Sequence, residues 1–322
     1  MGNERNSVVG TCIITGIDEK RDEKLGNKMG NRVVSARLYY PAMFNGEPEA
    51  SIKNAAGTMY QSPEFLNEKR PLIIYNHGYG TYMESNNKLC CQLVENGYFV
   101  VSVGHAYESL SMELADGSSI ELDNAVKSKQ IEPAVRGTFA ALKMKKTSGT
   151  AKEMYDVFYG FQKKYCSFLN ERLKEWAEDV NFIIDLLKKD YARYIDFNKG
   201  IGAIGHSFGG NLAYYLCINY EQYICGANMD GSIFGEYSGQ IMKKPFLQIF
   251  SKNNAQVVSK VLLDTVAPVE YEPFEGIGHI GFTDMKYFNK SKIMVGKMAA
   301  EEIDARMLEL HLRFLDKYLK SK

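Results

Sequence analysis

Gly200-Ile201-Gly202-Ala203-Ile204-Gly205-His206-Ser207-Phe208-Gly209-Gly210-Asn211-Leu212-Ala213-Tyr214-Tyr215-Leu216 is the stretch that decides the fold. Residues 200–204 are short and apolar, as in a buried strand. Residues 211–216 suit the start of a helix. Between them Gly205 to Gly209 matches G-x-S-x-G, and Gly210 adds a second trailing glycine. A serine on so sharp a strand-to-helix turn sits in strained backbone, its hydroxyl pushed out over the sheet edge. Side chains in place of the glycines would collide with the neighbouring strand and helix. The pattern predicts that Ser207 is a nucleophile.

Working outward, strands and helices alternate. Val33 to Tyr40 reads as a strand ending at Pro41, and Glu47 to Arg70 as a polar, irregular loop. Leu72 to Tyr75 is a buried strand. Ser85 to Glu95 is a helix closed by Asn96-Gly97, and Tyr98 to Val103 another strand. Residues 107 to about 160 break this rhythm and read as an inserted excursion, a candidate lid. From Tyr165 the period becomes helical: Tyr165, Leu169, Leu173, Trp176, Val180, Ile183 and Leu187 form one apolar stripe ending near Asp190. Further strands are expected at Cys225–Met229, Pro245–Phe250 and Ala267–Phe274, with a final helix from about Ala300 to Leu319. The expected fold class is α/β: a mostly parallel sheet with helices on both faces. Residues 1–322 then make one domain, with its insertion over about 107–165.

Composition narrows the function classes. The chain has 322 residues, enough for one large core. Acidic and basic residues balance at 39 each, so no global field argues for nucleic acid or an anionic membrane. Six cysteines are scattered without C-x-x-C pairs or Cys/His metal spacing, and read as reduced, packed thiols. No apolar run approaches the length of a membrane span. The opening residues 1–6 are polar, do not form a signal peptide, and lack Ser or Thr at position 6 for myristoylation. The expected location is cytoplasmic as the sequence stands, or secreted or membrane-anchored if a leader has been removed. Oligomeric state is left open.

A serine hydroxyl needs a base, and the base needs an orienting acid. Five histidines compete. His206 must point away on the tight turn. His311 packs in the final helix. His77 and His105 end strands before the nucleophile. His279, in Gly276-Ile277-Gly278-His279-Ile280-Gly281, follows a strand after it and is the candidate base. Asp230 directly follows the Cys225–Met229 strand and is the candidate acid. The rival position, Ser251 to Asn254, offers no carboxylate; Asp264 lies too far along a helix, and Glu275 too close to His279. In parallel sheets ligands bind at the carboxyl ends of strands, where all three chosen residues belong. The oxyanion hole needs two N–H donors. Phe208 N–H, just after the nucleophile, is one. Tyr79 N–H, in Asn76-His77-Gly78-Tyr79-Gly80, is the other, with His77 propping that loop.

Together these residues resemble a family. His77-Gly78-Tyr79-Gly80, the run from Asn96 to Ser109, GHSFGG at 205–210, ANMDGSIFG at 227–235, GHIGFTD at 278–284 and the final helix are similar, in order and spacing, to the platelet-activating factor acetylhydrolases and their bacterial relatives. These form part of the dienelactone-hydrolase-like branch of the α/β-hydrolases. The resemblance implies the α/β-hydrolase fold with a lid-like insertion. It places nucleophile, acid and base on Ser207, Asp230 and His279, and the oxyanion donors on Tyr79 and Phe208. It implies hydrolysis of carboxylic esters through an acyl-serine, with no cofactor and no metal, on small-molecule or lipid substrates with short acyl chains or of the platelet-activating-factor type. Two features depart from the pattern. Gly231-Ser232 stands where the phospholipid-cleaving members carry a bulkier aromatic pair, and residues 109–165 match poorly. Amide or thioester hydrolysis, or acyl transfer, with the same triad remains an alternative reading, and a non-catalytic binding protein a more distant one.

Overall fold

The computed structural model describes residues 8–25, 28–43, 51–54, 57–129, 151–233, 235, 237, 240–251 and 265–321. The strands in chain order are β1 (Val8–Asp22), β2 (Asn31–Met43), β3 (Ser51–Asn54), β4 (Gly57–Gln61), β5 (Glu64–Phe65), β6 (Leu72–Asn76), β7 (Phe99–His105), β8 (Ser111–Glu113), β9 (Ser119–Glu121), β10 (Ile201–His206), β11 (Tyr223–Met229), β12 (Phe246–Ser251) and β13 (Val269–Phe274). The longer helices are α1 (Asn87–Glu95), α2 (Ala151–Tyr165), α3 (Ser167–Asp190), α4 (Phe208–Asn219) and α5 (Ala300–Leu315).

Eleven strands form one sheet in the order β13-β12-β11-β10-β6-β7-β2-β1-β4-β3, with β5 paired to β2. From β7 to β13 every pairing is parallel, whereas β2 runs antiparallel to β7 and to β1. The central strands β6, β7 and β10 are buried along their whole length because both faces are covered. Leu72-Ile73-Ile74-Tyr75 and Phe99-Val100-Val101 are buried throughout. On one face Leu173, Trp176, Val180 and Leu187 of α3 pack with Leu212 and Leu216 of α4. On the other, Leu89 and Leu93 of α1 pack with Ile303, Phe314 and Leu315.

Three expectations change. The strand through Val33 does not end at Pro41: β2 continues to Met43, with Pro41 opposite Val9. The ladder to β7 ends at Tyr39, so a missing proline N–H costs β2 no bond to that neighbour. Residues 8–22, unassigned from sequence, form the long strand β1, whose partner is fixed by non-local pairing to β2. The segment 47–70 is not simply a loop, for β3, β4 and β5 lie within it and β4 joins the sheet beside β1. The excursion begins with the β8–β9 hairpin and a short helix, Asn124–Ser128, and ends in α2. The central part of the candidate lid, residues 130–150, lies outside the described residues, as do Lys252 to Asp264.

Buried histidines couple this fold to pH. Burial, then the His105 imidazole beside it, pushes His77 down to about 3. Burial, then His279, pushes His206 down to about 3. Burial pushes His311 down to about 4, while its Nδ1–H donates to the Met307 carbonyl oxygen. Below the unfolded-state value near 6.5 the unfolded chain takes up protons that these folded rings refuse, so their contribution is complete above pH 6.5 and is lost as pH falls. Asp284, raised to about 6 chiefly by burial, works in the opposite direction. Burial lowers His105 as well, so four rings stand against one carboxyl and unfolding takes up protons on balance near pH 5. The urea midpoint is therefore expected to drop steadily from pH 6.5 to 4.5. A midpoint constant over that range would contradict the buried neutral state of these rings.

Candidate active site

The strand-to-helix elbow at Ser207 is built by close backbone approach. Ser207 has φ 56° and ψ −121°, a left-handed conformation that side-chain-bearing residues rarely adopt. Its N–H donates to Met229 O, and its carbonyl accepts from Gly210 and Asn211, the first turn of α4. A Cβ on Gly205 would lie 2.2 Å from Gly209 O, and one on Gly209 would lie 2.1 Å from Asn76 O. Only hydrogen fits at either point, so the glycines let β6, β10 and α4 meet beneath the serine.

Asp230 leaves β11 one residue beyond its end, in a second left-handed conformation at φ 58°. The preceding Asn228 holds that turn: its Oδ1 accepts Gly231 N–H at 2.9 Å, and its Nδ2 donates to Gly231 O at 2.8 Å and to Gln248 Oε1 at 2.9 Å. The Asp230 carboxylate is buried and accepts from Ser251 N–H at 2.7 Å and Ser251 Oγ at 3.1 Å. His279 begins a single 3-10 turn after β13. Its loop is tied down by Gly278 N–H to Val295 O and Ile280 N–H to Met294 O.

The structure brings Ser207, His279 and Asp230 together. His279 Nδ1 lies 2.8 Å from Asp230 Oδ2, and its Nε2 lies 3.0 Å from Ser207 Oγ. A carboxylate only accepts, so Nδ1 carries the proton and Nε2 is left to receive one from the serine. The imidazole is 44% exposed, so a substrate can reach the serine side of the ring.

The loop after β6 presses on Ser207. A Cβ on Gly78 would lie 3.3 Å from Ser207 Cβ. Tyr79 follows directly, and its ring meets the Phe208 ring edge to face at 5.3 Å. His77 is buried and props the loop: Nδ1–H donates to Gly78 O at 2.8 Å, and Nε2 accepts from Ser109 Oγ at 3.0 Å. His206 points away from the serine and binds the His279 loop, its Nε2 2.8 Å from the His279 carbonyl oxygen. His105 is buried against Asp179, with Nδ1 2.9 Å from Oδ2. Glu275 is exposed.

Sequence reasoning missed two contributors. Ser251 offers no carboxylate, yet it ends β12 beside the point where Asp230 leaves β11, and strand neighbours share an edge. A charged cluster under the Tyr79 loop, Arg32, Glu108, Arg172 and Asp179, also went unread. Its signal was Arg172 and Asp179 beside the apolar stripe of α3.

A family model for platelet-activating factor acetylhydrolase, isoform II, matches residues 50–321. The chain belongs to that family. Platelet-activating factor acetylhydrolase of Bos taurus is 27% identical over 176 residues, covering 52% of this chain and 36% of the bovine protein. That of Cavia porcellus is 24% identical over 286 residues, covering 81% of this chain and 60% of the guinea-pig protein. The chain thus spans between about a third and three fifths of the length of these curated relatives. In structure it is similar to a ferulic acid esterase from Streptomyces cinnamoneus, with a TM-score of 0.78 at 18% identity, over 100% of this chain and 93% of that one. This likeness establishes the α/β-hydrolase fold for the acetylhydrolase family member. Among the described residues no helix is long and apolar enough to cross a membrane, and no cluster of His, Cys, Asp or Glu could hold a metal ion.

Proposed function

We propose that this acetylhydrolase family member hydrolyses carboxylic esters with short acyl chains. Ser207 is the nucleophile, His279 the general base and acid, and Asp230 the residue that fixes the tautomer. The observation that carries this reading is the hydrogen-bonded chain Ser207–His279–Asp230 at 3.0 and 2.8 Å, on a serine held at the end of a strand. In the first half of the reaction Ser207 Oγ bonds to the ester carbonyl carbon while its proton passes to His279 Nε2. The tetrahedral oxyanion is stabilised by the N–H groups of Phe208 and Tyr79. The intermediate collapses, the C–O bond to the alcohol breaks, and His279 returns the proton to the leaving oxygen. In the second half His279 takes a proton from water, hydroxide adds to the acyl carbon, and Ser207 leaves with the proton restored. Throughout, the Asp230 carboxylate holds the ring in place and stabilises the imidazolium.

A p-nitrophenyl ester series from acetate to palmitate tests substrate class. The expected result is kcat/KM highest for the shortest chains, falling by about tenfold or more by the long-chain esters, which is about 1.4 kcal/mol of lost transition-state binding. A maximum at palmitate would refute the short-acyl assignment, and no hydrolysis of any member would refute the esterase assignment.

A further inference from the structure

We propose that Glu108, gripped by Arg172, is a positioning residue for the oxyanion loop and acts through the Tyr79 hydroxyl. This rests on the assignment of Tyr79 N–H as an oxyanion donor. A backbone donor has no lever of its own, but the side chain of the same residue supplies one. The Tyr79 ring is stacked on Trp176 at 5.3 Å with planes 7° apart, and meets Phe208 edge-on. Its hydroxyl donates to Glu108 Oε1 at 2.9 Å. Burial, then the Glu108 carboxylate, raises the phenol's pKa, so it remains a donor.

Glu108 is fully buried. Arg172 of α3 grips it with both arms, Nε to Oε1 at 2.9 Å and Nη2 to Oε2 at 2.7 Å, and Arg32 Nη2 adds a contact at 3.3 Å. Two turns further along α3, Asp179 accepts from Arg32 Nη2 at 2.8 Å and from His105 Nδ1 at 2.9 Å. Burial alone would raise the Asp179 carboxyl, but Arg32 and then the His105 hydrogen bond hold it well below the usual carboxylate range. Backbone bonds carry the grip into the loop itself. Gly80 N–H donates to Glu108 O at 3.1 Å and Leu110 N–H to Thr81 O at 2.6 Å.

A buried ion pair adds little net stability against an apolar pair of the same size, but a two-armed Arg–carboxylate pair fixes geometry closely. Here it fixes a carboxylate that also accepts from the Tyr79 hydroxyl, whose ring packs on Phe208. Glu108 stands where the excursion begins and Arg172 just beyond its end, so the pair also joins both roots of that excursion to the loop.

The test uses the full chain, p-nitrophenyl acetate and thermal unfolding. Tyr79→Phe removes one oxygen and leaves the ring, the backbone N–H and the Glu108–Arg172 pair in place. It is expected to lower kcat by about 10- to 100-fold, as small displacements of catalytic groups do. KM should stay within about twofold, Tm within a few degrees, and the shape of the pH profile should not move. Glu108→Gln is expected to lower kcat by a similar factor, and the double variant no further, because both act on one contact. Should Glu108→Gln fail to fold, Tyr79→Phe decides alone. Wild-type kcat in Tyr79→Phe, with or without a lower Tm, overturns the proposal. Ser207→Ala run alongside separates the two levels: activity surviving there overturns the nucleophile assignment itself and this inference with it.

Discussion

Ser207→Ala is expected to lower kcat for ester hydrolysis by about a million-fold, the scale seen when a triad serine is removed elsewhere. The substitution takes away the Oγ that lies 3.0 Å from His279 Nε2 and leaves everything that builds the elbow. Alanine keeps a Cβ, so the left-handed φ of 56° is no more strained than it was with serine. The bonds from Ser207 N–H to Met229 and from α4 to the Ser207 carbonyl are made by backbone and survive. Stability and substrate binding should therefore change little while turnover collapses. The residual rate would come from the Phe208 and Tyr79 donors acting on bound ester. Steady-state kinetics with a p-nitrophenyl ester, beside a urea unfolding curve, makes the comparison. A loss of less than about a hundredfold would mean that another group performs the attack.

Asp230→Asn is the second large effect, expected at about 10⁴-fold in kcat. The carboxylate currently offers Oδ1 to Ser251 N–H and Oδ2 to His279 Nδ1–H. In the amide one position must become NH₂. The Ser251 backbone N–H is a fixed donor, so it keeps the amide oxygen on its side and turns the NH₂ toward His279. Nδ1 must then accept, the ring proton moves to Nε2, and the base faces the serine with its lone pair occupied. The geometry survives and the chemistry does not. A variant retaining more than about a tenth of wild-type kcat would show that the carboxylate does not set the tautomer.

The elbow was legible because a serine between glycines, after an apolar run and before a helix, has few other uses. Asp230 and His279 were legible because each follows a strand, and strand ends share one edge. What could not be read depends on partners distant in the chain. Val8 to Asp22 mixes apolar and charged residues and becomes a strand only because β2 lies beside it. Residues 51–61 carry edge strands too short and polar for period-two alternation to mark them. Pro41 suggested a strand end, whereas the ladder it would have interrupted had already stopped at Tyr39. The Glu108–Arg172 pair joins residues 64 apart, and the Arg32–Asp179 pair residues 147 apart. Nothing in composition distinguishes a charge buried in such a pair from one left in water.

Reaction with a fluorophosphonate probe, followed by peptide mass spectrometry, reads the reactivity of Ser207 itself. A single phosphonyl adduct on Ser207 is expected, formed in the wild-type chain, absent from Ser207→Ala, and formed far more slowly in Asp230→Asn. An adduct on any other residue, or equal labelling of the Ser207→Ala chain, would contradict it.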